Sequence, residues 1–201
     1  MGHDVPVPIA ESKAEVRSRM RAARSARSIE ERATAADALA RHAVALLPSR
    51  PSSITCYLSL PVEPGTDPLI ALAQAAGHRI VVPRIDGARL DWVDLHVHGE
   101  QRSGPMGIRE PVGDAIDPAV LDDFDVLFVP ATAVDRQGHR LGQGGGYYDR
   151  TLAHLRPHND GGPLIVAVVF DEEVIDGVPV ERHDCRVDAA LTPGGVIEID
   201  G

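Results

Sequence analysis

Ser12 and Ser28 each stand three residues before a glutamate, Glu15 and Glu31, which is the spacing of a reciprocal capping box. Each serine opens a stretch rich in alanine and arginine, predicting helices over 13–26 and 29–47; Pro48 and Pro51 stop the second. The pattern then changes to short apolar runs. Residues 54–60 predict a strand. Thr66 is a candidate N-cap with Pro68 in the first turn, and 69–76 predicts a helix ending at Gly77. A strand over 79–83 completes a βαβ unit, whose crossover is expected to be right-handed. A second cycle follows, with a strand over 124–129, a helix over 147–155 and a strand over 164–170. These strands are almost continuously apolar, as in a parallel sheet covered by helices on both faces. Residues 90–97 alternate and predict an edge hairpin strand; 189–192 and 196–199 predict short final strands. Residues 1–11, with Pro6 and Pro8, carry little pattern and are expected to form a loose tail. The expected fold is one α/β domain over 12–201, a three-layer sandwich with a mostly parallel, Rossmann-like sheet. Its functional site is expected at the carboxyl ends of the strands.

Composition narrows the function. A chain of 201 residues, 43% hydrophobic and 25% charged, suits a single globular domain. No apolar run approaches the ~18 residues of a membrane span, and the first residues hold no long apolar segment of a secretory signal. Cys56 and Cys185 are too few for a disulfide framework, which points to a reduced, cytoplasmic setting. A net charge of −10 argues against nonspecific nucleic-acid binding. Of the 20 basic residues, Lys13 is the single lysine; it follows Glu11 and Ser12, so no Gly-Lys-Ser/Thr phosphate loop exists.

The segment carrying the clearest chemistry is VPATAVDRQGHRLGQGGGYYDR, residues 129–150. An apolar strand ends at Pro130, a loop follows with glycines at 138, 142, 144, 145 and 146, and Tyr147-Tyr148-Asp149-Arg150 opens a helix. Such a loop is either a flexible turn or a cradle in which backbone N–H groups approach a phosphate, with Arg140 and Arg150 adding charge. Its place between a strand and a helix favours the cradle.

RLGQGGGYYDR resembles the RLGxGxGYYD signature of the 5-formyltetrahydrofolate cyclo-ligase (methenyltetrahydrofolate synthetase) family, and the preceding VPATAVDRQGHRLG resembles that family's VPGxxFDxxGxRLG. In the same order along the chain, Lys13-Ala14-Glu15-Val16-Arg17 resembles the family's KxxLR. Tyr57-Leu58-Ser59 with Glu63 and Thr66 is similar to its strand-end segment. Pro83-Arg84, Gly107-Ile108-Arg109-Glu110-Pro111, His183-Asp184 and Val187-Asp188 follow further shared positions. Three places depart from the pattern. Gln143 stands where an aromatic or basic residue is common, Val134 replaces a phenylalanine before Asp135, and Ala131-Thr132 replaces a Gly-Leu-like pair.

The resemblance implies conversion of 5-formyltetrahydrofolate and MgATP into 5,10-methenyltetrahydrofolate, ADP and phosphate, in which ATP phosphorylates the formyl oxygen, N10 attacks and phosphate departs. Such a reaction asks for cations, backbone donors, metal ligands and substrate clamps more than for a covalent nucleophile. By resemblance, Lys13, Arg140 and Tyr148 are catalytic candidates. Lys13, Arg17 and the run Arg140, Leu141, Gly142, Gln143, Gly144, Gly145, Gly146, Tyr147 and Tyr148 would surround ATP. Leu58, Glu63, Gln143, Gly144, Gly145, Gly146 and Tyr147 would meet the folate, and Asp149 and Asp184 would associate with Mg²⁺. Taken alone, Lys13 reads as a solvated helix lysine, Asp149 as a first-turn carboxylate, Asp184 as a turn residue and Glu63 as an exposed loop acid. Its ionised carboxylate has only acceptors and can take hydrogen bonds from pterin N–H groups. Partners are expected to be these small molecules, without nucleic acid or membrane, in a monomer or weak dimer. Two alternatives stand beside this function: an ATP-dependent paralogue acting on another N-formyl or amide substrate, and a nucleotide sensor without turnover.

Other features carry less. His96 and His98 share a strand face without a third ligand, and Pro157 separates His154 from His158. Cys185 beside His183 reads as a half-buried thiol. The arginine-rich run from Arg17 to Arg32, with Glu30 and Glu31 interleaved, reads as a solvated helix face.

Overall fold

The computed structural model describes residues 11–96, 99, 101–104, 109–182 and 184–199. The proposed tail, apart from Glu11, lies outside these residues, as do His98, His183 and the Gly107-Ile108 part of the GIREP segment. Helices α1 (Lys13–Ala26) and α2 (Ile29–Ala43) begin in the two capping boxes. Ser12 N–H donates to the Glu15 carboxylate at 2.8 Å, and Ser28 N–H to that of Glu31 at 2.7 Å. α2 ends at Ala43, before the expected 47, because Val44–Leu46 tighten into a 3₁₀ turn ahead of Pro48.

Strand β1 (Ser53–Thr55) is shorter than its apolar run. The chain leaves the ladder because residues 60–63 close on themselves: Glu63 N–H donates to the Leu60 carbonyl at 3.0 Å, and Leu60 N–H to the Glu63 carboxylate at 2.8 Å. Thr66 occupies the N-cap position of α3 (Asp67–Ala75), but its hydroxyl donates to the Tyr57 carbonyl at 2.5 Å instead of capping. Then come β2 (Arg79–Asp86), β3 (Arg89–Asp94), the pair β4 (Gln101–Ser103) and β5 (Arg109–Pro111), and β6 (Ala115–Ile116). After β7 (Val126–Pro130), β8 (Ala133–Asp135) and β9 (Arg140–Leu141) comes α4, which spans Tyr147–Leu152 and stops short of the predicted 155. The chain ends with β10 (Leu164–Val168), β11 (Val174–Ile175), β12 (Ala189–Thr192) and β13 (Gly195–Glu198).

The main sheet has the order β13-β12-β10-β7-β1-β2-β3-β6. Its middle, from β12 to β2, is parallel, and antiparallel strands finish both sides. β3 is therefore not the edge; the two residues of β6 cover it. α2 and α3 press Leu39, Ala43, Leu69 and Ala73 onto Ile54, Val82, Phe128 and Val168 on one face. Leu152 of α4 and Leu121 of the 3₁₀ turn Pro118–Asp123 cover Leu127, Val129 and Ile165 on the other. The helices on both faces make the three-layer α/β fold. The direction in which successive strands are added to the sheet reverses between β1 and β7, which are adjacent and parallel. The chain leaves β1 toward β2 and leaves β7 toward β10, so the loops after these strands diverge and open a crevice at the carboxyl edge.

α1 is held differently. Its Val16 and Met20 pack on Ala133, Leu141 and Val178, over the small sheet β11-β8-β9. Its last turn is anchored by a buried ion pair. Arg24 Nε and Nη2 donate to the two Glu173 oxygens at 2.6 and 2.9 Å, and Nη2 also to the Ala131 carbonyl at 2.6 Å. Glu173 further accepts Phe170 N–H at 2.9 Å. Arg27 lies 4.0 Å from the Phe170 ring centre and pairs with Glu172 at 2.5 Å. The expected solvated face is thus interrupted: Arg24 is 3% exposed, because it reaches partners contributed by residues far along the chain. Arg24→Met should lower stability by ~3–5 kcal/mol, and Tm by roughly 10 °C, since it leaves Glu173 buried and unpaired. Adding Glu173→Leu should recover most of the loss in a thermal melt; a double variant less stable than Arg24→Met would contradict this account.

Candidate active site

The crevice holds a cavity of about 360 Å³, walled by Tyr57, Leu58, Leu60 and Glu63 after β1, by Pro83, Arg84, Ile85 and Leu90 of the β2–β3 hairpin, and by Pro130 at the end of β7. Arg140, Gly142, Gln143, Gly145, Gly146, Tyr147, Tyr148 and Asp149 complete it, with Arg109 and Glu110 at β5. Most of the wall is apolar, with a few charged groups converging on it, which is the usual character of a small-molecule site.

The glycine loop is fixed from several sides. Arg17 of α1 donates to the Gly142 carbonyl at 2.8 Å. Arg150 donates to the Gly145 carbonyl at 2.9 Å and to the Ala88 carbonyl at 2.7 Å, so it ties the loop to the β2–β3 turn instead of offering its charge to the cavity. Gly144 and Gly146 have φ of +108° and +65°, conformations that favour glycine. Gly145 lacks a positive φ; there the constraint is space, since a Cβ would lie 2.7 Å from the Tyr147 ring. The six-residue α4 that follows starts from Gly146 in the left-handed region.

Two cation–carboxylate pairs stand beside the loop. Arg140, 3% exposed, donates to Asp149 at 2.6 Å and to the Pro130 carbonyl at 3.1 Å. Lys13 Nζ donates to Asp184 at 2.6 Å and to Glu181 at 2.9 Å. Partial burial pulls the Lys13 pKa down, but its bonds to Asp184 and Glu181 outweigh this and hold it above the ordinary value. Cys185 links the pairs, its thiol donating to the Asp149 carbonyl at 3.5 Å. Burial pushes that thiol up, so it is a neutral packing group.

On the opposite wall Glu63 is 7% exposed. Burial pushes its carboxyl up, against the opposing effects of Leu60 N–H, the Arg24 charge and Gln143. Gln143 Nε2 donates to it at 2.5 Å. Tyr148 stacks edge-on against Trp92, ring centres 6.2 Å apart. Its buried hydroxyl, and Arg140 Nε, find no hydrogen-bond partner among the described residues.

The sequence-predicted residues therefore fall into two neighbouring groups. Leu58, Glu63, Arg140, Gly142, Gln143, Gly145, Gly146, Tyr147, Tyr148 and Asp149 line the cavity. Lys13, Arg17, Asp184 and Gly144 stand outside its lining, on the α1 side of the loop; a Cβ at Gly144 would meet the Arg17 guanidinium at 3.6 Å. Leu141 also lies outside the lining, its side chain buried under α1 with Val16 and Met20. Ile85, Leu90 and Pro130 were not singled out; they enter the wall as strand residues, whose apolar character gives no local sign of a site.

The sequence profile of the 5-formyltetrahydrofolate cyclo-ligase family matches residues 9–193. The chain belongs to this family. It is 36% identical over 152 residues to the 5-formyltetrahydrofolate cyclo-ligase of Mycolicibacterium smegmatis, covering 70% of this chain and 73% of that one. Against the enzyme of that name from Escherichia coli K12, identity is 34% over 149 residues, covering 73% and 80%. The NMR structure of Aquifex aeolicus 5,10-methenyltetrahydrofolate synthetase superposes with a TM-score of 0.75, at 28% identity and 94% coverage of both chains.

The resemblance to this family implies a magnesium nucleotide, and the residues beside the loop fit one. Arg140 keeps an unused, buried Nε beside the glycine loop. Among the described residues no group of three or more His, Cys, Asp or Glu forms a metal cluster, and Mg²⁺ usually needs only one or two carboxylates besides phosphate and water. Asp149 and Asp184 are each paired with a cation, so both signs of charge that a metal–phosphate group would need stand beside the loop. Gly145→Ala tests the cradle. The Cβ should displace the Tyr147 ring and weaken ligand binding about tenfold or more, with Tm within a few degrees of the parent because the loop is exposed. Normal ATP binding by a folded Gly145→Ala protein would remove the cradle.

Proposed function

We propose that this cyclo-ligase family member closes 5-formyltetrahydrofolate to 5,10-methenyltetrahydrofolate, consuming MgATP and releasing ADP and phosphate. The observation that carries the reading is one cavity with a buried carboxylate on one wall and a cation-flanked glycine loop on the other. Glu63 uses one oxygen for Leu60 N–H and the other for Gln143. Each oxygen keeps a further lone pair, so the carboxylate can accept two adjacent N–H groups, as on the edge of a pterin ring. Leu58 supplies apolar wall beside it. The formyl-bearing part of the substrate then faces the loop.

On the loop side, Lys13, Arg17 and Arg140 carry the positive charge that a nucleotide's phosphates need, and the backbone of residues 142–146 lets them approach. A bound Mg²⁺ would supply positive charge that offsets the phosphate charge during transfer. Asp149 and Asp184 are the carboxylates assigned to hold it. Arg140, desolvated and aligned by Pro130 and Asp149, is placed to stabilise the migrating phosphoryl charge without reorganising. The Tyr148 hydroxyl, also without a partner among the described residues, offers a donor at the same wall. Strand residues Pro130 and Ile85 limit water around the reacting groups.

Purified protein with 5-formyltetrahydrofolate and MgATP should give methenyl product, followed by its ultraviolet band, and ADP in equal amounts. ATP hydrolysis indifferent to the folate would point to another acceptor. Lys13→Gln should raise KM for ATP at least about tenfold more than KM for the folate, because a phosphate loses a point charge. Equal effects on both would return Lys13 to a purely structural partner of Asp184. Asp149→Asn and Asp184→Asn should each require more Mg²⁺ for half-maximal turnover. A wild-type titration curve for Asp184→Asn alone would leave a single protein carboxylate in the metal site.

A further inference from the structure

The contact between Gln143 and Glu63 joins the two walls of the cavity. Gln143 is 80 residues from Glu63 in the chain, and its Nε2 reaches Glu63 Oε1 at 2.5 Å. It sits between Gly142, whose carbonyl is held by Arg17 at 2.8 Å, and Gly144, whose φ is +108°. The loop is thus fastened on the α1 side through its backbone and on the folate side through one side chain. The other Glu63 oxygen is held by Leu60 N–H at 2.8 Å, so the two donors together determine the plane of the carboxylate.

We propose that Gln143 is a positioning residue: its amide orients the Glu63 carboxylate toward the substrate ring and locks the glycine loop against the folate wall. This inference rests on the assignment of Glu63 to the folate. It makes the residue at position 143, one of the chain's departures from the family pattern, a determinant of substrate fit. Without the amide, one buried oxygen of Glu63 faces the cavity unpaired, and an unpaired buried carboxylate is more easily protonated. Glu63 is surrounded by Arg24 from α1, Tyr57 from its own loop and Tyr148 from α4, with Arg140 on the facing wall of the cavity. Arg24 favours the ionised form and is itself committed to Glu173. Of the groups touching Glu63, Gln143 is the one that a ligand-facing substitution can remove without altering the backbone.

The sign of the effect follows. Burial already raises the Glu63 carboxyl, and loss of the Gln143 donor raises it further. Recognition through the carboxylate is present above that pKa and fades as pH falls through it. The acid limb of folate recognition should therefore move to higher pH in Gln143→Met, which keeps length and loses the donor. It should return to the wild-type position or move below it in Gln143→Lys, which restores a donor and adds positive charge.

The experiment measures KM for 5-formyltetrahydrofolate and for ATP, with kcat, over about pH 5 to 8 for wild type and both variants. Equilibrium folate binding without nucleotide is followed in parallel by the fluorescence of Trp92, the single tryptophan. Gln143→Met should bind folate about tenfold more weakly near neutral pH, with the acid limb shifted up and KM for ATP changed less. An unshifted limb in Gln143→Met, or equal increases in both KM values, would mean that the side chain only stiffens the loop and would overturn the inference. A wild-type protein that neither binds nor converts 5-formyltetrahydrofolate would overturn the underlying assignment and this inference together. Conversion by wild type with wild-type behaviour in Gln143→Met would overturn the inference alone.

Discussion

The buried pair of Arg24 and Glu173 is the constraint on which the site depends. α1 packs on the small sheet β11-β8-β9, outside the main layers, and has few residues with which to fix its orientation. Arg24 fixes it by reaching the Ala131 carbonyl just beyond β7 and the Glu173 carboxylate just beyond β10. Lys13, Arg17, Met20 and Arg24 recur at helical spacing along one side of α1. Once Arg24 is seated at the carboxyl edge of the sheet, Arg17 falls on the Gly142 carbonyl and Lys13 on Asp184. One desolvated ion pair therefore helps to place Arg17 at a loop 125 residues away in sequence and Lys13 at Asp184, 171 residues away.

The cavity is where two physical demands meet. The topological reversal between β1 and β7 supplies an opening that closely packed side chains would otherwise fill. The residues around it are arranged with their charges already compensated, Arg140 by Asp149 and Lys13 by Asp184. Compensation lets strong charges be partly buried while no ligand is present. A ligand carrying both signs can exchange for these partners, whereas a singly charged one would leave a carboxylate or a cation stranded.

Much of this was legible from the chain. The capping serines fix the starts of α1 and α2, since an Ncap hydroxyl and an N3 carboxylate act over four residues. The apolar runs locate the parallel strands along the chain, and the glycine signature marks the loop after β9. What escaped had several causes, some of them long-range. Arg24 looks like its exposed neighbours because its partner lies 149 residues away. Leu141 belongs to the signature by sequence and to the core by packing. The run 54–60 is mostly apolar, yet β1 ends at Thr55 because Glu63 turns back on Leu60. β8, β9 and β11 are two or three residues each, too short for any periodicity to show.

Lys13 carries the chain's single side-chain amine. A reagent that acylates amines meets one ε-nitrogen, so its effect on the protein is not divided among a dozen surface positions. That nitrogen is held protonated between Asp184 and Glu181, and an ammonium is no nucleophile. The contacts that hold Lys13 against Asp184 and Glu181 thus also shield it from electrophiles, and a cation that drew the two carboxylates away would favour the neutral amine and unmask it. In most proteins lysine chemistry reports on the surface at large; here it reports on the electrostatic state of one corner of the site.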